Sequence, residues 1–180
     1  MSAPQQPIQS HILSVLVDNE PGILARVVGL FSGRGYNLDS LTVAPVDDTG
    51  RVSRITVVTS GTEMVIEQIK AQLDRLVPVH RVQDLTMEGP HLERELALIK
   101  VDAMPEARAT VISTIDIFRA KVVDVGKESL TAEITGDQSK VDAFIELMRP
   151  FGIREIVRTG LTALERGNKE IKEHKKFEED

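Results

Sequence analysis

Cysteine and tryptophan are both missing from this 180-residue chain. Without a thiol there is no disulfide to staple the fold and no thiolate to act as nucleophile or metal ligand. Aromatic residues make up only 3% of the chain, too few for the stacking platforms of a single-stranded RNA or DNA binder. A basic surplus is missing as well. The 22 Lys and Arg stand against 28 Asp and Glu, a net charge of −6, whereas a nucleic-acid surface needs a basic stripe. No apolar run approaches membrane-spanning length. Residues 1–10, MSAPQQPIQS, lack the basic-then-apolar order of a secretion signal. The expectation is a cytoplasmic protein with neither nucleic acid nor membrane as partner.

What is present describes an ordinary globular chain, 41% hydrophobic and 28% charged. Its length suits one medium domain or two small ones. The stretch at 15–41, VLVDNEPGILARVVGLFSGRGYNLDSL, organises the rest. A short apolar run ends at Asp18-Asn19-Glu20-Pro21-Gly22, and a helical period begins at once with Ile23, Leu24, Val27, Val28, Leu30 and Phe31. Pro21 suits a first helical turn, Asn19 or Glu20 occupies the capping position, and Gly33 and Gly35 end the helix. Tyr36-Asn37-Leu38 opens a second strand.

The chemistry lies at the start of that helix. Unpaired N–H groups and a partial positive charge receive a carboxylate there, and Gly22 lets a ligand approach the backbone. Asn19 offers an amide donor and a carbonyl acceptor, so it can hold either end of a zwitterion. Read so, the turn binds a small amino acid and has no group to transform it. A tight turn in which Asn19 only caps and Gly22 only fits accounts for the same residues. Asn37 begins a strand expected at a sheet edge, where unpaired backbone must be covered or paired. If that strand pairs with its copy in a second chain, Asn37 faces the other chain's turn and a composite site forms across a two-fold axis. Alternatively, Asn37 only stabilises its own turn.

Along the chain, residues 1–10 read as a disordered lead. Strands are expected at 11–17, 36–44, 52–59 and from Pro78 through Val82. A second helix carries Val65, Ile69, Leu73 and Leu76. In the third strand Ser53, Ile55, Val57 and Thr59 share one face, and Arg54 and Thr56 the other. This β-α-β-β-α-β order over 11–84 is the split βαβ, or ferredoxin-like, arrangement. A linker at 84–90 leads to a second such unit at 91–160. It has strands at 92–101, 122–125, 130–134 and 153–157, a helix from Pro105, and an Asp137-capped helix bearing Val141, Phe144, Ile145 and Met148. The fold class is therefore α+β, two tandem ferredoxin-like units. Residues 161–180 read as a charged, solvated tail.

Other candidates weigh little. His11, His80, His91 and His174 are far apart and none has a ligand partner at helical spacing, so no metal site is expected. Asp47-Asp48 lacks the alternation of a calcium loop. Gly29, Gly33 and Gly35 match no phosphate-cradling spacing. Ser14, alternating with apolar neighbours, reads as a packing residue. No acid/base pair or nucleophile context appears, so catalysis by this chain alone is not expected.

The run HILSVLVDNEPGILARVVGLFSGRGYNLDSLTVAPVDD resembles the amino-terminal ACT domain of acetolactate synthase small regulatory subunits. VSRITVV at 52–58, EQIKAQLDRLVPVHRV at 67–82, HLERELALIKV at 91–101, IFRAKVVDV at 117–125 and DAFIELMRPFGIREIVRTG at 142–160 continue the likeness, which extends from Ile12 to Arg166. It implies a homodimeric, non-catalytic partner of a large thiamine-diphosphate enzyme of branched-chain amino-acid biosynthesis. Such a partner activates the large subunit and confers feedback inhibition by valine. By the same resemblance the valine-binding residues are Asn19, Gly22, Ile23 and Leu24, with Asn37 and Leu38 from the partner chain. Thiamine diphosphate, magnesium and FAD belong to the large subunit, and none is assigned here. The tail beyond Arg166 departs from the common core. Two competing readings use the same scaffold: a free-standing amino-acid sensor, and an RNA binder that the acidic charge and missing aromatics oppose.

Overall fold

The computed structural model describes residues 7–171. The chain divides into two units, the first holding residues up to Leu92 together with the chain from Leu161, the second running from Glu93 to Gly160. The first unit contains β1 (Gln9–Asp18), α1 (Ile23–Ser32), β2 (Ser40–Pro45), β3 (Val52–Gly61), α2 (Glu63–Leu73) and β4 (Val79–Asp84). Its antiparallel sheet has the order β2-β3-β1-β4, the expected ferredoxin-like topology. The period of two along each strand sends Leu13, Val15 and Val17 of β1 and Ile55 and Val57 of β3 to one face. There they meet Ile23, Val27 and Phe31 of α1 and Ile66, Ile69 and Leu73 of α2 in one buried cluster. Thr62 caps α2 by accepting the Val65 N–H at 3.4 Å.

The other face of this sheet is not bare. The stretch at 84–90, expected as a linker, forms the short helix α3 (Leu85–Glu88), and Asp84 accepts the Thr86 N–H at its start. The chain from Leu161, expected as a solvated tail, forms β9 (Thr162–Glu165). Leu161 and Ala163 are buried with Ile12, Val58 and Leu85. The Leu161 N–H donates to Ser40 Oγ at 3.1 Å, and Thr42 Oγ1 donates to the Leu161 carbonyl at 3.2 Å. The reason is the alternation in LTALE, which puts Leu161, Ala163 and Glu165 inward and Thr162 and Leu164 outward. The expected lead over 1–10 is likewise shortened, because Gln9 and Ser10 pair with Gly61 and Ser60 as the start of β1. Residues 1–6 and 172–180 lie outside the described residues.

The second unit repeats the order with β5 (His91–Asp102), α4 (Pro105–Ile117), β6 (Lys121–Val125), β7 (Ser129–Gly136), α5 (Gln138–Met148) and β8 (Ile153–Arg158). Its strands run β6-β7-β5-β8. Ala97, Ile99 and Val101 of β5 and Leu130, Ala132 and Ile134 of β7 pack on Val111 and Ile115 of α4 and on Val141, Phe144, Ile145 and Met148 of α5. Asp137 caps α5 by accepting the Lys140 N–H at 2.8 Å, as its position predicts. Arg158 of β8 clamps Glu95 of β5 through Nε at 2.7 Å and an Nη at 2.6 Å, and reaches Asp142 of α5 at 2.8 Å. This bidentate geometry holds the guanidinium proton above its ordinary range.

Phe144 is fully buried, while Leu147 on the same helix is 48% exposed. Phe144→Ala is expected to cost about 3–5 kcal/mol in urea unfolding, and Leu147→Ala to stay within about 0.5 kcal/mol of the parent. Equal losses would contradict this orientation of α5.

Candidate ligand-binding site

The turn between β1 and α1 is built by backbone rather than by side-chain caps. β1 ends at Asp18, whose N–H donates to the Pro78 carbonyl at 2.8 Å. The helix begins at Ile23, and the capping residue is Gly22, in the left-handed region at φ 88°. Two expectations are corrected here. Neither Asn19 nor Glu20 caps the helix, and Pro21 stands before the cap rather than in the first turn. The reason is that the chain needs a positive φ to swing from strand into helix, and glycine alone adopts it without strain. At the other end Gly33 continues the helical conformation at φ −66°, and it is Gly35, at φ 69°, that turns left-handed.

No side chain caps α1 and no acidic residue lies in its first turn. The Ile23 N–H is taken by the Glu20 carbonyl at 3.3 Å, and the Arg26 N–H by the Gly22 carbonyl at 3.1 Å. Among the described residues the Leu24 and Ala25 N–H groups have no side-chain acceptor. A helix tip in this state attracts an anionic group. A Cβ built on Gly22 meets nothing within 4 Å, so the space before the tip is open. Glu20, the nearest acid, is drawn to Arg26 at 3.1 Å.

Asn19 is fixed by the turn between β2 and β3. Its N–H donates to the Arg51 carbonyl at 2.6 Å and its Nδ2 to the Gly50 carbonyl at 2.8 Å. That turn is tied in its own right by Asp47, which accepts the Val52 N–H at 2.8 Å, the Thr49 N–H at 3.2 Å and the Thr49 hydroxyl. Asp47 was legible only as part of a turn; its service to Asn19 depends on the β1–β3 pairing that sets Asp18 opposite Val52. Ile23 is 5% exposed and its side chain belongs to the core, so it offers a ligand no side chain. Leu24 is 37% exposed beside the tip.

Asn37 and Leu38 lie elsewhere in the same chain. The Asp39 N–H donates to the Val58 carbonyl, and Val58 stands six residues along β3 from Val52, about 20 Å at strand rise. One chain therefore does not bring the two halves of the expected site together. Asn37 is nevertheless held firmly. Its Nδ2 donates to Asp39, whose other oxygen accepts from Ser60 Oγ at 2.8 Å, and its carbonyl accepts from Thr59 Oγ1 at 2.6 Å. Leu38 is half-buried against the helix-side core. β2 lies at the sheet edge as expected, but it begins at Ser40 rather than at Tyr36, so Asn37 and Leu38 precede the strand.

A ferredoxin-like unit with an open, uncapped helix tip after its first strand is the architecture of an ACT-type domain. Residues 13–81 match the family model described as the AHAS small subunit-like ACT domain, and residues 94–167 match that of the small subunit of acetolactate synthase. The chain belongs to the acetolactate synthase small-subunit family. It is 48% identical over 159 residues to the probable acetolactate synthase small subunit of Archaeoglobus fulgidus, covering 88% of this chain and 98% of that one. It is 46% identical over 164 residues to the acetolactate synthase small subunit of Mycobacterium leprae, covering 91% and 96%. The crystal structure of the small subunit from Thermotoga maritima superimposes with a TM-score of 0.82 at 40% identity, over 89% of this chain and 99% of that one.

Two measurements test the turn. Gly22→Ala is expected to destabilise the protein by about 1–2 kcal/mol through the left-handed backbone alone. Gly29→Ala, inside α1 with nothing near its Cβ, is expected to stabilise by about 0.5–1 kcal/mol; the reverse order in thermal unfolding would contradict the cap. Hydrogen bonds from the Thr49 hydroxyl and then the Val52 N–H hold Asp47 below the usual carboxylate value of 3.8, at about 2. A folded value below the unfolded one means that its stabilisation is complete above about pH 4 and is lost as pH falls through about 2. NMR titration should give the Asp47 carboxyl and the Asn19 side-chain amide one shared midpoint near 2; a midpoint at 3.8 would dissolve the link between them.

Proposed function

We propose that this chain is the regulatory subunit of acetolactate synthase, which activates the catalytic large subunit and confers feedback inhibition by valine in branched-chain amino-acid synthesis. The observation that carries the reading is the α1 tip. It is fronted by Gly22 at φ 88°, uncapped and without acid in its first turn, beside an Asn19 pinned by Gly50 and Arg51. In this reading the valine carboxylate meets the Leu24 and Ala25 N–H groups, and Asn19 orients the zwitterion. Asn37 and Leu38 come from a second copy, because within one chain they sit about 20 Å away along β3. The unpaired edge of β2 supplies the means for two copies to pair. Thiamine diphosphate, magnesium and FAD reside on the large subunit, and the complex works in the cytoplasm.

The mechanism follows from linkage. A ligand that bridges two chains is bound more tightly by one arrangement of the pair than by another, and that difference sets how far it can shift the equilibrium. The large subunit reads the arrangement through its contacts with this chain. Nothing at the turn performs chemistry. Its part is to hold donors still, so that little ordering free energy is spent when valine arrives.

Reconstitution with a cognate large subunit tests this. The parent chain is expected to raise acetolactate formation and to make it valine-sensitive. Gly22→Asp puts a carboxylate where the ligand's carboxylate belongs, and Asn37→Ala removes the contact from the second copy. Both are expected to keep most of the activation and to lose valine sensitivity at least tenfold. A Gly22→Asp complex inhibited by valine like the parent overturns the site, and no activation by the parent chain overturns the function.

A further inference from the structure

A zwitterion carries two charges, and the uncapped tip of α1 answers only the negative one. The helix dipole that attracts a carboxylate repels an ammonium, so the ligand's positive end needs acceptors of its own. The two asparagines have them. Asn19 Nδ2 donates to the Gly50 carbonyl, and Asn37 Nδ2 to the Asp39 carboxylate. Both partners are pure acceptors, so each amide is fixed with its nitrogen toward its own chain. Each leaves its Oδ1, an acceptor, for a ligand.

A neutral oxygen does not balance a charge, and the turn at 18–23 carries two acids, Asp18 and Glu20. Val17 points into the helix-side core, so the period of two sends Asp18 to the face away from α1. There it is bound by His80 Nε2 of β4 at 2.8 Å. Glu20 lies on the α1 side. Its carbonyl accepts the Ile23 N–H at 3.3 Å, and its Oε1 accepts from Arg26 Nη1 at 3.1 Å. Side chains on a helix lean toward its N-terminus, which brings the Arg26 guanidinium back beside the tip. The contact occupies one carboxylate oxygen and leaves Oε2 to accept a further hydrogen bond. Both side chains are about half exposed, and an ion pair in such a place adds little to stability. It sets where the Glu20 charge stands rather than holding the fold.

We propose that Glu20 takes the ligand's ammonium group, with Asn19 Oδ1 beside it, and that Arg26 is the residue that positions Glu20. This rests on the valine reading of the same turn and adds its specificity. With the carboxylate on the Leu24 and Ala25 N–H groups and the ammonium on Glu20, the site selects an α-amino acid over the acid that has the same side chain and no amino group.

Calorimetry on the full chain tests this with L-valine and with isovalerate, which is valine with hydrogen in place of the ammonium, at matched ionic strength. The parent is expected to prefer valine by at least about tenfold, the worth of one charge-assisted hydrogen bond. Glu20→Gln keeps the shape and removes the charge. It is expected to weaken valine by at least about tenfold and to leave isovalerate nearly unchanged, whereas a merely structural role would move both ligands together. Arg26→Gln is expected to lose valine affinity severalfold, and Arg26→Lys, which keeps a cation, to recover most of it. Because these side chains are half exposed, each variant is expected to keep the parent's Tm. Gly22→Asp blocks the carboxylate end and is expected to weaken both ligands. A Glu20→Gln chain that retains the parent's preference for valine overturns the role of Glu20 and leaves the valine reading standing. Equal affinity of the parent for the two ligands does the same. An Arg26→Gln chain that binds like the parent overturns the positioning role of Arg26. A parent chain that binds no valine overturns the valine reading, and this proposal with it.

Discussion

The left-handed backbone of Gly22 is the constraint on which the rest of the first unit turns. At φ 88° it redirects the chain from β1 into α1 within a few residues, which sets Ile23, Val27 and Phe31 over the sheet. The same rotation leaves the Leu24 and Ala25 N–H groups of α1 without a side-chain cap. A side chain at this position would strain the backbone and stand in front of the tip, even though the space itself is free. One dihedral angle therefore serves both the packing and the site.

Distant strands share the work of holding the residues of the proposed site. Asn19 is held by the turn between β2 and β3, and that turn is held by Asp47. Asn37 is held by Asp39 and Thr59 at the far end of the same sheet. Pre-ordered donors lower the entropic cost of capturing a small ligand. Two such clusters at opposite ends of one sheet are what the proposed sharing of a ligand between copies calls for.

The two units share a topology and treat their sheets differently. In each, one face is sealed by two helices over an aliphatic core. The first unit adds a second, smaller cluster on its other face, where Leu161 and Ala163 meet Ile12, Val58 and Leu85. That cover carries polar residues beside it, where the Ser14 Oγ and the Arg54 Nε are buried without partners among the described residues. Buried polar groups are normally paired; here, and at Gln72 Oε1 of α2, burial runs ahead of hydrogen bonding among the described residues.

The order of the two β-α-β-β-α-β units, the alternation that sorts each strand's faces, and the cap at Asp137 were legible in the sequence, because each rests on spacing within a few residues, whereas the Thr62 cap appeared only in the structure. The glycine-fronted helix start was legible for the same reason. What escaped was non-local. Asn19 looked like a cap because caps are local, yet its partners are 31 and 32 residues away at Gly50 and Arg51. The charges beyond Arg166 masked the short LTALE alternation, whose partners lie about 120 residues earlier at Ser40 and Thr42. Ser14 was read as a packing residue, but only the fold shows that its hydroxyl is buried without a partner among the described residues. Local backbone preference and hydrophobic period thus determine the elements and their faces from sequence alone. Which polar groups meet across the sheet is decided by strand register, a property of the folded pairing that no short stretch of residues contains.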